Sequence, residues 1–78
     1  MQADSAKGFL SFQKNLGQRV RELRSAAGYS QEGFADACGL HRTHISMLER
    51  GLLDLKVSTM LKMAEVLKVK LSELLEGL

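Results

Sequence analysis

Two short apolar-periodic segments meet at Gly39, and no other feature of the chain limits its fold so strongly. On one side Phe34, Ala35 and Cys38 recur at helical spacing; on the other, Ile45 and Leu48 do. Ser30 precedes the first segment, where a side-chain oxygen accepts from the open amides of a first helical turn. Gly39 ends it. The spacing predicts helices over residues 31–38 and 42–49, with Leu40 as a buried connector and Gly51 closing the second. Two short helices turning on a glycine describe a helix-turn-helix. Their steep crossing needs small residues, which Ala35 and Gly39 supply.

The flanking sequence is helical in pattern too. Leu16, Val20, Leu23 and Ala27 lie on one face of a helix over about residues 10–27, stopped by Gly28. Gly17 interrupts it at a cost of roughly 1 kcal/mol relative to Ala. After an apolar bridge of Leu53, Leu55 and Val57, Met60, Leu61, Ala64 and Leu67 predict a fourth helix over about 58–67. Leu71, Leu74 and Leu75 predict a short fifth, opened by Lys70 or Ser72. The chain has no Pro and only four aromatic residues, which disfavours a small β-barrel. The expected fold is all-α with five helices. Residues 1–9 are expected as an N-terminal arm, and residues 10–78 as one domain ending in a dimerisation helix.

Composition closes off other classes. With 45% hydrophobic and 26% charged residues the 78-residue chain is that of a folded protein, not a disordered one. Its single cysteine, Cys38, allows no internal disulfide and points to a reducing compartment. Apolar runs are too short to span a membrane, and residues 1–8 lack the apolar core of a signal peptide, so a cytoplasmic protein is expected. Cys38, His41 and His44 are spaced by three, but no further cluster completes a four-ligand zinc site. No Ser-His-acid set, phosphate loop or paired carboxylates appear. No enzyme, cofactor, metal or small-molecule ligand is therefore expected.

Net charge is only +2, but it is unevenly placed. Residues 1–28 carry +3, residues 29–51 carry −1, and residues 52–78 balance four lysines against four acids. Any electrostatic footprint must be a local face. On the second short helix the residues left outward are His41, Arg42, Thr43, Ser46 and Met47. Short polar groups and one guanidinium suit the base edges of a DNA major groove.

From Leu16 to Leu75 the chain resembles the Xre-like, phage-repressor-type helix-turn-helix proteins, including small controller proteins of restriction–modification systems. The resemblance rests on Leu16-Gly17-Gln18-Arg19-Val20-Arg21-Glu22-Leu23-Arg24 and on Tyr29-Ser30-Gln31-Glu32-Gly33-Phe34-Ala35. It continues through Gly39-Leu40-His41-Arg42-Thr43-His44-Ile45-Ser46, Leu48-Glu49-Arg50-Gly51 and Leu61-Lys62-Met63-Ala64-Glu65-Val66-Leu67. It implies that Arg42 and Thr43 read bases, with Ser46 and Met47 beside them on the same face. It further implies that Gln31 grips phosphate and that His44 holds a phosphate-touching position, with Ser30 and His41 close by on the backbone. Arg24 and Glu49 match a salt bridge tying the first helix to the end of the third. The chain departs from the pattern at Gly33, where a helix former is common, and at His41, where Ser, Thr or Asp usually caps the recognition helix. Leu52, Leu53 and Asp54 replace a basic or polar stretch and Leu55 a common Pro, leaving Arg50 and Lys56 as the backbone donors there.

Leu71, Leu74, Leu75 and Leu78 exceed what one short helix needs for its own core and are expected to meet a second copy, with Met63 or Val66 at the edge. Expected partners are double-stranded DNA, a second copy of the chain and, where transcription is activated, RNA polymerase. The sequence leaves repression and activation open. An antitoxin-type autoregulator and a protein-interaction module that keeps the fold without DNA are the alternatives.

Overall fold

A computed structural model of the chain describes residues 3–78. Five helices follow one another: α1 (Ala3–Ala26), α2 (Gln31–Cys38), α3 (Arg42–Glu49), α4 (Val57–Leu67) and α5 (Leu71–Leu74), with no strand among the described residues. The expected all-α, five-helix architecture is the one found. α1 begins at Ala3, so the described part of the expected arm is helix. Nothing between Ala3 and Gln13 stops a helix, since the stretch has no Pro and only one Gly, and extending an existing helix costs little. At the other end Ala27 falls outside α1 and is exposed, not on its buried face.

The core gathers Leu16 and Val20 from α1, Phe34, Ala35 and Cys38 from α2, Ile45 and Leu48 from α3, and Met63, Ala64 and Leu67 from α4. Leu55 and Leu74 close it from the loop and from α5. Phe34, Ile45, Leu48, Met63, Leu74 and Val20 are fully buried, each stabilising the fold by up to about 1.5–3 kcal/mol. Leu40 is only half-buried. On α4 the inward stripe runs Met60, Met63, Ala64, Leu67, which leaves Leu61 on its flank and exposed, contrary to the sequence pattern.

Two residues expected on a dimer surface are inside the protomer. Met63 and Leu74 have no exposed surface, because the single turn of α5 must lend the core an anchor and α4 supplies its partner. Val66, Leu71 and Leu75 are half-buried against that core, and Leu78 is exposed. α5 is tied to α1 by Arg19, whose Nε and Nη2 donate to the Glu73 carbonyl at 3.3 and 2.8 Å.

Two glycines act differently from the sequence reading. Gly39 turns with φ 70°, its N–H donating to the Asp36 carbonyl while the Leu40 N–H reaches Ala35. A Cβ there would meet nothing within 4 Å, so Gly39 supplies backbone conformation and not tight packing. Gly17 is the close-approach residue. A Cβ at this position would lie 2.3 Å from the Leu48 carbonyl oxygen and 2.9 Å from that of Glu49, both rigid backbone atoms. What looks like a blemish in α1 is the notch that receives the end of α3. Gly17→Ala should therefore lower stability by about 1–3 kcal/mol despite its better helix propensity. Gly8→Ala, where a Cβ meets nothing within 4 Å, should raise it slightly. Thermal unfolding followed by circular dichroism checks both signs.

Candidate nucleic-acid interface

α2 and α3 pack on α1 so that α3 presents one side to solvent. Ser30 caps α2, its Oγ accepting from the Gly33 N–H at 2.9 Å. Gly33 itself leaves room for that contact, since a Cβ there would come 3.1 Å from the same oxygen. α3 is capped by His41, whose Nδ1 accepts from the Thr43 N–H at 3.2 Å. A histidine thus does the work of the usual hydroxyl or carboxylate, and the first turn of α3 is fixed where it faces outward.

Of the residues expected to read bases, Arg42 and Thr43 are exposed and line one shallow cleft with half-buried Ser46. Met47 is half-buried on the same helix. Of those expected on the DNA backbone, Ser30, His41, Arg50 and Lys56 are exposed, while Gln31 and His44 are half-buried. Lys56 stands just before α4 and Arg50 just after α3, where its Nε leans on the Ser46 carbonyl at 3.4 Å. Cys38 points into the core, and burial pushes its thiol above the ordinary range, with Lys62 drawing it back slightly. Among the described residues no three potential ligands gather to hold a metal.

Beneath this surface lies an ion pair. Arg24 Nε donates to Glu49 Oε2 at 2.6 Å and its Nη2 to Oε1 at 3.1 Å, a two-point contact. Arg24 Nη1 donates to the Tyr29 carbonyl at 2.7 Å, so one guanidinium holds α1, the α1–α2 turn and the end of α3 together. The Glu49 side chain is only 3% exposed. Gln31 completes the group, its Nε2 donating to Glu49 Oε1 at 3.1 Å. The sequence reading separated Gln31 from the bridge; here one amide hydrogen is committed to it. Helical register alone carries no signal for that contact.

Matching residues 20–74, the family model described as Helix-turn-helix covers the segment in which these contacts lie. This chain belongs to the Xre-like helix-turn-helix family. It is 41% identical over 62 residues to the control protein C.BamHI of Bacillus amyloliquefaciens, covering 78% of this chain and 76% of that protein. To the control protein C.SmaI of Serratia marcescens it is 34% identical over 67 residues, covering 86% and 80%. The crystal structure of the restriction-modification controller protein C.AhdI from Aeromonas hydrophila superposes with a TM-score of 0.80 at 38% identity, covering 83% of this chain and 94% of that one. The protein is a DNA-binding helix-turn-helix transcriptional regulator and not an enzyme. No helix among its described residues is long and apolar enough to cross a membrane.

Because Glu49 is buried, removing Arg24 strands a carboxylate away from water. Arg24→Ala should cost about 3–5 kcal/mol, against under about 1 kcal/mol for an exposed pair. An unchanged denaturation midpoint in urea would show that the bridge contributes nothing.

Proposed function

We propose that this regulator binds a palindromic operator as a homodimer in the cytoplasm, with α3 of each protomer in a major groove. The observation that carries this reading is the outward turn of α3. Arg42 and Thr43 stand exposed there above a cleft shared with Ser46, and His41 fixes the turn that presents them. Arg42 makes no ion pair among the described residues. A guanidinium free to point outward matches the O6 and N7 acceptors of guanine with two parallel donors. Thr43, Ser46 and Met47 supply shorter contacts beside it. Ser30, Gln31, His41, His44, Arg50 and Lys56 hold the sugar-phosphate backbone. The open amides at the start of α2 favour an anion there, and Gln31 retains a second amide hydrogen beyond the one given to Glu49.

Pairing rests on apolar surface that the protomer leaves uncovered. Leu61 is 52% exposed and Leu78 38%, and Val66, Leu71 and Leu75 are half-buried near them in sequence. A self-complementary patch of this kind builds a two-fold dimer, which sets half-sites about 34 Å apart. Repression follows where the operator overlaps a promoter, and activation where the bound dimer touches RNA polymerase. The likeness to two control proteins and a restriction-modification controller supports the regulatory role.

Two experiments test the reading. Selection from a random duplex library should return a palindrome with the wild type. Arg42→Ala should lose preference at one base position of each half-site, at about 1–3 kcal/mol per half-site. Retention of every base preference would make Arg42 a backbone contact. Sedimentation equilibrium should give a dimer for the wild type, and a folded monomer for the double variant Leu61→Glu, Leu78→Glu. A wild type that stays monomeric at high micromolar concentration refutes the dimer.

A further inference from the structure

A groove runs between α1 and the end of α3, lined from α1 by Lys14, Gln18, Arg21, Glu22 and Ser25 and from α3 by Glu49 and the Arg50 that follows it. Of the five α1 residues, Lys14, Gln18, Arg21 and Ser25 recur at intervals of four, three and four, so they form one stripe of the helix, about 16 Å long. All four are exposed, as is Arg50 across from them. The walls are fixed in place. Gly17 seats α1 against the last carbonyls of α3, and Gly51 lies so close to Lys14 that a Cβ would be 2.7 Å from the Lys14 Cα.

Charge in the groove is not balanced from within. Arg19 is paired with Glu76 and Arg24 with Glu49, whereas Lys14, Arg21 and Arg50 enter no ion pair among the described residues. The Glu49 carboxylate at the floor is neutralised by Arg24 and nearly closed off from solvent. Glu22 is the one opposing free charge; like Gln18 it also lines the cleft on the other side of α1, and it enters no ion pair among the described residues. The groove therefore offers an anion three free cations against one free carboxylate, a net +2, with two neutral polar groups between them.

Its position indicates which anion. Glu49 forms the floor and also accepts from Gln31, so the groove opens directly beside the start of α2. On the DNA-binding reading above, on which this inference rests, that is where a phosphate is held. We propose that the groove carries the same DNA strand onward, with Lys14, Arg21 and Arg50 on successive phosphates and Gln18 and Ser25 hydrogen-bonding between them. Lys14, Gln18, Arg21 and Ser25 lie outside the helix-turn-helix and thus extend the footprint without reading bases. An acidic protein segment is the competing occupant. Continuity with Gln31 favours the strand.

The test compares wild type with the double variant Lys14→Gln, Arg21→Gln on a selected operator at several salt concentrations. Four phosphate contacts are lost per dimer, so the slope of log affinity against log salt should flatten by about 3.6. Between 50 and 200 mM salt the variant should then lose about 100-fold less affinity than the wild type loses. The selected base preferences should stay the same. Lys68→Gln, Lys70→Gln removes equal charge from the α4–α5 turn and should leave the slope unchanged. Gln18→Glu, a single exposed change, should weaken all duplexes alike and guards against misfolding of the double variant. A wild type that binds its operator while both groove variants match it in slope and affinity overturns the groove and leaves the DNA reading intact. The same result admits the acidic protein segment. Altered base preference in the groove variants also overturns the backbone assignment. Failure of the wild type to select any duplex overturns both.

Discussion

The Arg24–Glu49 ion pair sets the geometry on which the rest of the molecule depends. It joins residues 25 apart in sequence, at the last turn of α1 and the last residue of α3, and takes in the Tyr29 carbonyl between them. A buried pair stabilises little beyond an apolar replacement of the same shape, but it tolerates only one arrangement. A carboxylate with 3% exposure must find its donors, and three nitrogens, from Arg24 and Gln31, supply them. The direction of α3 relative to α1 is thereby fixed by hydrogen-bond geometry as well as by the fit of apolar side chains.

Gly17 supports the same junction sterically. The pair pulls the end of α3 onto α1, and the missing side chain at Gly17 allows the backbones to meet. Neither feature works without the other. A side chain in the notch would push Leu48 and Glu49 outward and stretch the bidentate contact. A lost salt bridge would leave the notch closed by apolar packing alone.

Local signals made most of this fold legible. Ser30, Gly39 and Gly51 mark helix ends by chemistry confined to a few residues, and α2 and α3 have the limits their spacing implies. Most of what local signals leave out depends on distant atoms. Gly17 appears as a poor helix residue until α3 is placed against it. Met63 and Leu74 seem surplus until the protomer core is counted, because a sequence does not say which copy buries a leucine. The start of α1 lies well ahead of the apolar stripe, which begins at Leu16, because a helix with no stop signal runs on beyond its packed face. On the site, the outward turn of α3 follows from periodicity alone. The link between Gln31 and Glu49 does not, because it joins residues 18 apart through a carboxylate whose position only the folded chain defines.

The histidine cap of α3 separates two kinds of evolutionary freedom. His41 secures the start of α3 through its own ring, so the exposed side chains of Arg42 and Thr43 carry no structural duty. Their replacement costs the fold little. Arg24 and Glu49 are bonded to each other and Gly17 is the notch beneath them, so a change at any one disturbs the junction. The outward turn of α3 is therefore open to single substitutions, while the junction behind it is closed to them.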